Sequence, residues 1–353
     1  MVGSHFQHNS MTANCSNDYP DTSVLFSELR ADFPRTVLMA VACALVLACL
    51  AIFLEELVFL HQVYHGNGVK VRKVATILGL YPVTIVMALM ALMAPKISFL
   101  LDLFASCYLS VCFFTLVSLI IDTFGNEARM IEHFRGMTIQ TSLPPCCCCC
   151  CCILRPRLLT EQSLFFFKLC ALQVAVIRPV LSIIAAALWF DGIYKQDLTS
   201  PASAYLYITT ITVISALFSM YGTIVICRAT SPFLKSYRIG VKFFSLQLLL
   251  ITSTIQSLVF NILATHGIPG CIASRGPAVR DNAFNHFALI VETFLLCLLA
   301  RKGYRMDETI LPGPTPREDL PGCDNEFGHA HWREDNYGAI ENNTIEIEST
   351  KLN

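Results

Sequence analysis

The chain has 353 residues, of which 54% are hydrophobic and only 14% charged, with a formal net charge of −1. Soluble domains carry about 25% charged residues, so this composition excludes an ordinary water-soluble surface, and the near-zero net charge gives no basic face for nucleic acid. A hydrocarbon core about 30 Å thick is spanned by about 20 apolar residues in helical form, and runs of that kind set the class.

In chain order, residues 1–35 hold no short apolar core behind a basic start and end in Asp32, Pro34 and Arg35, so no cleavable signal peptide is expected. Seven long apolar runs follow: Thr36 to Leu60, Val74 to Ala94, Ile97 to Ile121, Leu164 to Phe190, Ala204 to Cys227, Val241 to Ala264 and Ala283 to Ala300. Backbone N–H and C=O groups in lipid must be satisfied within the segment, so each run is predicted to be a helix. The expected fold is an all-α membrane protein, a seven-transmembrane-helix bundle over residues 36–302. No solenoid period and no pair of matching halves is visible.

The links carry charge unevenly. Lys70, Arg72 and Lys73 flank the first link, Arg129, Arg135, Arg155 and Arg157 the third, and Arg228, Lys235, Arg238 and Lys242 the fifth, while Arg301, Lys302 and Arg305 follow the seventh run. The alternate links hold Lys96, then Lys195, then Arg275 with Arg280. Basic residues are retained on the cytoplasmic side, so the N-terminal segment 1–35 is expected outside and the C-terminus inside. Of two glycosylation sequons, Asn14-Cys15-Ser16 and Asn342-Asn343-Thr344, only Asn14 would then be usable. Residues 303–353 begin with Leu311-Pro312-Gly313-Pro314-Thr315-Pro316 nearby and are rich in Asp and Glu, the composition of a disordered cytoplasmic tail.

The loop at 122–163 holds Pro144 and Pro145 and then Cys146, Cys147, Cys148, Cys149, Cys150, Cys151 and Cys152. Adjacent side chains diverge, whereas a metal site needs four sulfurs to converge from spaced ligands. A reducing cytosol disfavours disulfides. Juxtamembrane cytoplasmic cysteines are S-acylation targets, and acyl chains would pin the loop to membrane lipids at the inner leaflet, so lipidation is the expectation, with inert thiols as the alternative.

Ionisable residues inside the membrane are expensive and by default functional. Arg178 lies 14 residues past Leu164, beside the kink-prone Pro179, about 21 Å along the fourth helix. Its acidic candidates are Glu292, favoured by depth, and Asp102. It either meets an anionic substrate group or makes a structural ion pair. Lys168 is placed to snorkel to the headgroups. The fifth helix carries a stripe of Tyr205, Thr209, Thr212, Ser215, Ser219 and Gly222, and the sixth carries Gln247, Thr254, Ser257 and Asn261. Such stripes line a polar groove or pack helices through small and hydroxyl side chains. The expected substrate-binding residues are Arg178, Gln247, Thr254, Asn261 and Glu292. Glu55 and Glu56 read as interfacial charges, and His61 and His65, at i and i+4, lack a third ligand for a metal.

A seven-helix receptor is the competing class. Ile121-Asp122-Thr123-Phe124 stands where receptors carry an acidic-Arg-aromatic triplet, and Glu292-Thr293-Phe294-Leu295-Leu296-Cys297 lacks Asn-Pro-x-x-Tyr. No nucleophile, base and orienting group share a segment, so neither an enzyme nor a cofactor is expected.

Several short motifs recur together: Ile52-Phe53-Leu54-Glu55, Phe124-Gly125, Pro145 with the cysteine run, Asp191-Gly192-Ile193-Tyr194, Lys242-Phe243 with Gln247, and Glu292-Thr293-Phe294-Leu295. In this the chain resembles the organic solute transporter alpha family, from the first helix through the seventh. More distant seven-helix relatives, with no settled transport role, offer a non-transporting scaffold as the alternative. The resemblance implies sodium-independent facilitated transport of bile acids, steroid conjugates and related amphipathic organic anions, and a basic residue at the position of Arg178. It also implies a heteromer with a single-pass beta subunit at the basolateral plasma membrane, with room for a higher oligomer. Ala40, Ala44 and Ala48 give the first helix a small-residue face for such a partner.

Overall fold

The computed structural model describes residues 19–64, 67–134, 138–139, 157–158, 160–191, 204–231, 233–234, 237–268, 270 and 276–305. Asn14, the cysteines from Cys146 to Cys152 and the tail beyond Arg305 lie outside them. Seven helices are long and apolar enough to span a bilayer: Phe33–Val63, Gly68–Met93, Pro95–Thr123, Glu161–Phe190, Ala204–Thr230, Ile239–Thr265 and Val279–Tyr304. They are called the first to seventh helices below, and the chain is a multi-pass membrane protein. An odd number of crossings puts the two ends of the bundle on opposite faces, here named the N-terminal and C-terminal faces.

Each predicted run falls on one helix, and the differences lie at the ends. Lys70, Arg72 and Lys73 are not in a link but on the opening turns of the second helix, because the Asn67 side chain accepts a hydrogen bond from the Lys70 N–H at 3.2 Å and caps the helix there. Two helices are interrupted. The second breaks at Gly79, where a Cβ would stand 2.6 Å from the Tyr108 hydroxyl. That hydroxyl donates to the Thr76 carbonyl at 3.0 Å, while Pro82 has no N–H to give Leu78. The fourth breaks at Gln173, ahead of Pro179. Between the third and fourth helices Thr138–Ile139 and Arg157–Leu158 form a two-residue antiparallel pair.

The second helix is the central one, with 61% of its most apolar stretch buried against 17% for the first and 11% for the sixth. The outer helices turn Leu47, Leu54, Val58, Phe104, Phe114, Ile183, Phe218 and Leu295 outward, an apolar surface that lipid accommodates and water would not. The fourth and fifth helices approach closely. Ser219 Oγ donates to the Ala171 carbonyl at 3.0 Å and Gln173 Nε2 to the Ser215 carbonyl at 2.7 Å. At Gly222 a Cβ would lie 2.6 Å from the Phe167 carbonyl. The lower half of the fifth-helix stripe is therefore a packing seam.

On the C-terminal face Phe124, Phe134 and Phe233 stack with centroids 5.0 to 6.4 Å apart. Lys168 pairs with Glu127 at 2.9 Å. A four-charge cluster ties the first helix to the seventh. Arg301 reaches Glu55 at 2.7 Å and Glu56 at 3.2 Å, and Arg305 reaches Glu55 at 2.8 Å. Glu56 is 2% exposed, so it is a buried member of a helix clamp and not the interfacial charge expected from the sequence, while Glu55 is half exposed at the same face.

Two stability predictions follow from these seams. Gly222→Val overpacks the fourth–fifth contact and is expected to cost about 1 to 3 kcal/mol, seen as a lower melting temperature of detergent-solubilised protein. Gly240→Ala, where nothing lies within 4 Å of the new Cβ, is the matched neutral substitution. Arg301→Gln leaves the Glu56 carboxylate buried without its closest cation and is expected to cost about 3 to 5 kcal/mol. Adding Glu56→Gln should recover most of that loss, and a double mutant as unstable as Arg301→Gln alone would refute the clamp.

Candidate functional site

A cavity of about 230 Å³ lies in the half of the bundle nearer the N-terminal face. It is lined by Thr84 of the second helix, Asp102, Ser106 and Leu109 of the third, Arg178, Leu181, Ser182 and Ala185 of the fourth, Tyr205, Thr209, Thr212 and Val213 of the fifth, Leu249, Ser253, Thr254, Ser257 and Leu258 of the sixth, and Asn285 and Leu289 of the seventh. The first helix contributes nothing to it. Toward the C-terminal face the next layer is closed by Tyr81, Phe113 and Leu246, each no more than 1% exposed.

Arg178 is the one basic side chain among the lining residues. It is 6% exposed, its Nε has no hydrogen-bond partner, and among the described residues no carboxylate lies within 4.0 Å of it. The fourth helix has Arg178 one residue before Pro179. A guanidinium keeps its charge even when desolvated, so its donor fork here can accommodate an anion.

Register shows where the other polar groups stand. The third and fourth helices are antiparallel neighbours, and Phe99 meets Trp189 with ring centroids 5.9 Å apart. Carrying that register inward places Arg178 level with Ser110, about 12 Å deeper than Asp102. Asp102 sits at the shallow end, its Oδ2 3.8 Å from Nε2 of His286. His286 is fully buried, and neither ring nitrogen has a hydrogen-bond partner. Asp281, one turn nearer the N-terminal face, is 7% exposed with an unpartnered Oδ1. The segment before the first helix reaches this end too: Asp21 pairs with Lys96 at 2.5 Å. Partial burial pushes the Tyr19 phenol above its usual range, and the negative Asp102 and Asp281 push it the same way.

Of the residues singled out in the sequence, Arg178 and Thr254 line the cavity, with Tyr205, Thr209, Thr212 and Ser257 beside them. Gln247, Asn261 and Glu292 do not line it. Gln247 is 5% exposed with both amide atoms unpartnered, and Asn261 Oδ1 and Glu292 Oε2 are likewise buried without partners. The Arg178–Glu292 pair favoured by depth does not form, because depth fixes a level in the membrane and says nothing about which way each helix is rotated. Asp102, the other acidic candidate, shares the cavity with Arg178 without pairing to it. His286 and Asn285 carried a signal in the sequence as polar residues in an apolar run and were not singled out. Among the described residues no three His, Cys, Asp or Glu side chains come together as a metal site would require.

The sequence matches the family described as "Organic solute transporter Ostalpha" over residues 37–309, which takes in the seven helices except for the opening turn of the first. The organic solute transporter subunit alpha of Homo sapiens is 31% identical over 281 residues, covering 78% of this chain and 81% of that protein. That of Bos taurus is 30% identical over 308 residues, covering 86% of this chain and 89% of that one. That of Leucoraja erinaceus is 30% identical over 234 residues, with 66% of this chain and 63% of that one covered. No solved structure matches the chain.

Proposed function

Because the chain belongs to the organic solute transporter alpha family, we propose that it is the alpha subunit of a heteromeric carrier that moves amphipathic organic anions, bile acids and steroid conjugates among them, down their gradients without sodium. The observation that carries this reading is Arg178, buried and unpaired on the wall of a cavity whose remaining lining is mostly apolar and hydroxyl groups, with Asp102 at its shallow end and Asn285. An apolar slot with one cation suits a ligand with an apolar body and one negative group.

In the proposed arrangement the N-terminal face is extracellular and the C-terminal face, with Arg301, Lys302 and the loop at 122–163, is cytoplasmic. Residues 1–35 form the outer segment, residues 36–302 the membrane domain and residues 303–353 the tail. Asn14 is glycosylated, and Cys146 to Cys152 are acylated and hold their loop against the inner leaflet of a basolateral plasma membrane. The single-pass beta subunit seats on the first helix. Support for that comes from Ala40 and Ala44, which are exposed, and Ala48, which is half-buried, on the helix that lines none of the cavity.

The substrate role of Arg178 is tested by flux. With a beta subunit co-expressed, Arg178→Gln is expected at the cell surface in normal amount, with the half-saturation concentration for an anionic steroid raised about tenfold or more. Arg178→Lys should lie between, because it keeps the charge and loses the fork. Normal transport by Arg178→Gln at normal surface level would remove the residue from the site. The orientation is tested separately: a tag before Met1 should be reached by antibody on intact cells, and a tag after Asn353 only after permeabilisation.

A further inference from the structure

The walls of the cavity differ in hydrogen-bonding character from its cation. Thr212 donates its hydroxyl proton to the Ile208 carbonyl at 2.8 Å, Thr254 to Leu250 at 2.7 Å, and Ser253 to Leu250 at 3.2 Å. Each of these hydroxyls has spent its one donor within its own helix and turns only acceptor lone pairs to the cavity. Asp102 at the shallow end is a stronger acceptor of the same kind. Its side chain is 48% exposed, it lines the cavity, and among the described residues it receives no hydrogen bond. His286 stands behind one of its oxygens at 3.8 Å, too far for a hydrogen bond.

Resting on the reading of this cavity as the substrate site, we propose that Asp102 is a second anchor and a specificity-determining residue. Arg178 takes the anionic group at the deep end, and the Asp102 carboxylate accepts a hydrogen bond from a hydroxyl at the other end of the ligand. The carrier therefore selects rigid amphipathic anions that bear a hydroxyl about 12 Å from the negative group. It favours a hydroxyl over a carbonyl there, because only the hydroxyl brings a proton to the carboxylate. The same negative charge at the shallow end keeps the ligand's anion at the deep end, so the two anchors fix one orientation.

The test uses two steroid 3-sulfates that differ only at carbon 17, one with a 17β-hydroxyl and one with a 17-ketone, in cells expressing the chain with a beta subunit. The wild type is expected to take the hydroxyl form at a half-saturation concentration about five- to tenfold lower than the ketone form. In Asp102→Asn, whose amide can donate to a ketone, the two values should come within about twofold of each other, whereas Asp102→Glu should keep the preference. Arg178→Gln should raise both values by a similar factor. Equal half-saturation concentrations in the wild type, or an undiminished preference in Asp102→Asn at normal surface level, would overturn the inference. Because the first comparison needs no variant, it decides even where Asp102→Asn fails to reach the surface. If Arg178→Gln raises both values while the wild type does not discriminate, the cavity stands as the substrate site and only the role of Asp102 falls. If Arg178→Gln leaves both values unchanged, the cavity reading falls and this inference with it.

Discussion

The constraint on which this structure depends is that lipid offers no hydrogen bonds to the backbone. Every crossing is helical for that reason, and each place where a helix is interrupted needs a substitute partner. At Gly79 the partner is the hydroxyl of Tyr108, which crosses from the third helix to the Thr76 carbonyl. Near Gln173 the hydroxyl of Ser219 crosses from the fifth helix to the Ala171 carbonyl. These substitutions bind the interrupted helices to their neighbours. The break at Gln173 leaves Arg178 and Pro179 in the helical segment Val174–Phe190, which carries the cation to the cavity wall.

The same medium makes charge costly, and the bundle deals with it in two ways. At the C-terminal face Glu55 and Glu56 are met by Arg301 and Arg305, so a buried glutamate lies within 3.2 Å of a guanidinium. In the cavity Arg178 has no such partner. A bundle able to build the first arrangement has left the second incomplete at a cost of a few kcal/mol. That contrast separates a charge met by packing partners from one left without a carboxylate on the cavity wall.

Much of the fold was legible because a run of about 20 apolar residues has one stable form in a bilayer. Helix ends were less so: the cap at Asn67 moved Lys70, Arg72 and Lys73 from a link into the second helix. The site was legible in part. Arg178 stands out in any apolar run, and Thr254 lay on a visible polar stripe. Rotation about each helix axis is set by packing against helices distant in sequence, and no periodicity within one run reveals it. This is why the fifth-helix stripe divides, with Tyr205, Thr209 and Thr212 facing the cavity and Ser215, Ser219 and Gly222 pressed against the fourth helix. It is also why Gln247, Asn261 and Glu292, polar and at suitable depths, fall outside the lining.

Those three residues belong to an imbalance between two seams. The fourth–fifth contact is satisfied bond for bond through Gln173, Ser215, Ser219 and the space kept by Gly222. The sixth and seventh helices, by contrast, bury Gln247, Asn261, Asp281, His286, Glu292 and Thr293 with unpartnered atoms. Gln256 bonds the Asn285 carbonyl through one amide atom only. Each unsatisfied group costs about 1 to 3 kcal/mol when dry, so this seam is held by apolar contact against a polar penalty, while the fourth–fifth seam has both terms in its favour. Stability in a bundle is distributed accordingly. The fourth–fifth seam is thus the better satisfied of the two, and the polar penalty between the sixth and seventh helices falls on groups that stand off the cavity lining.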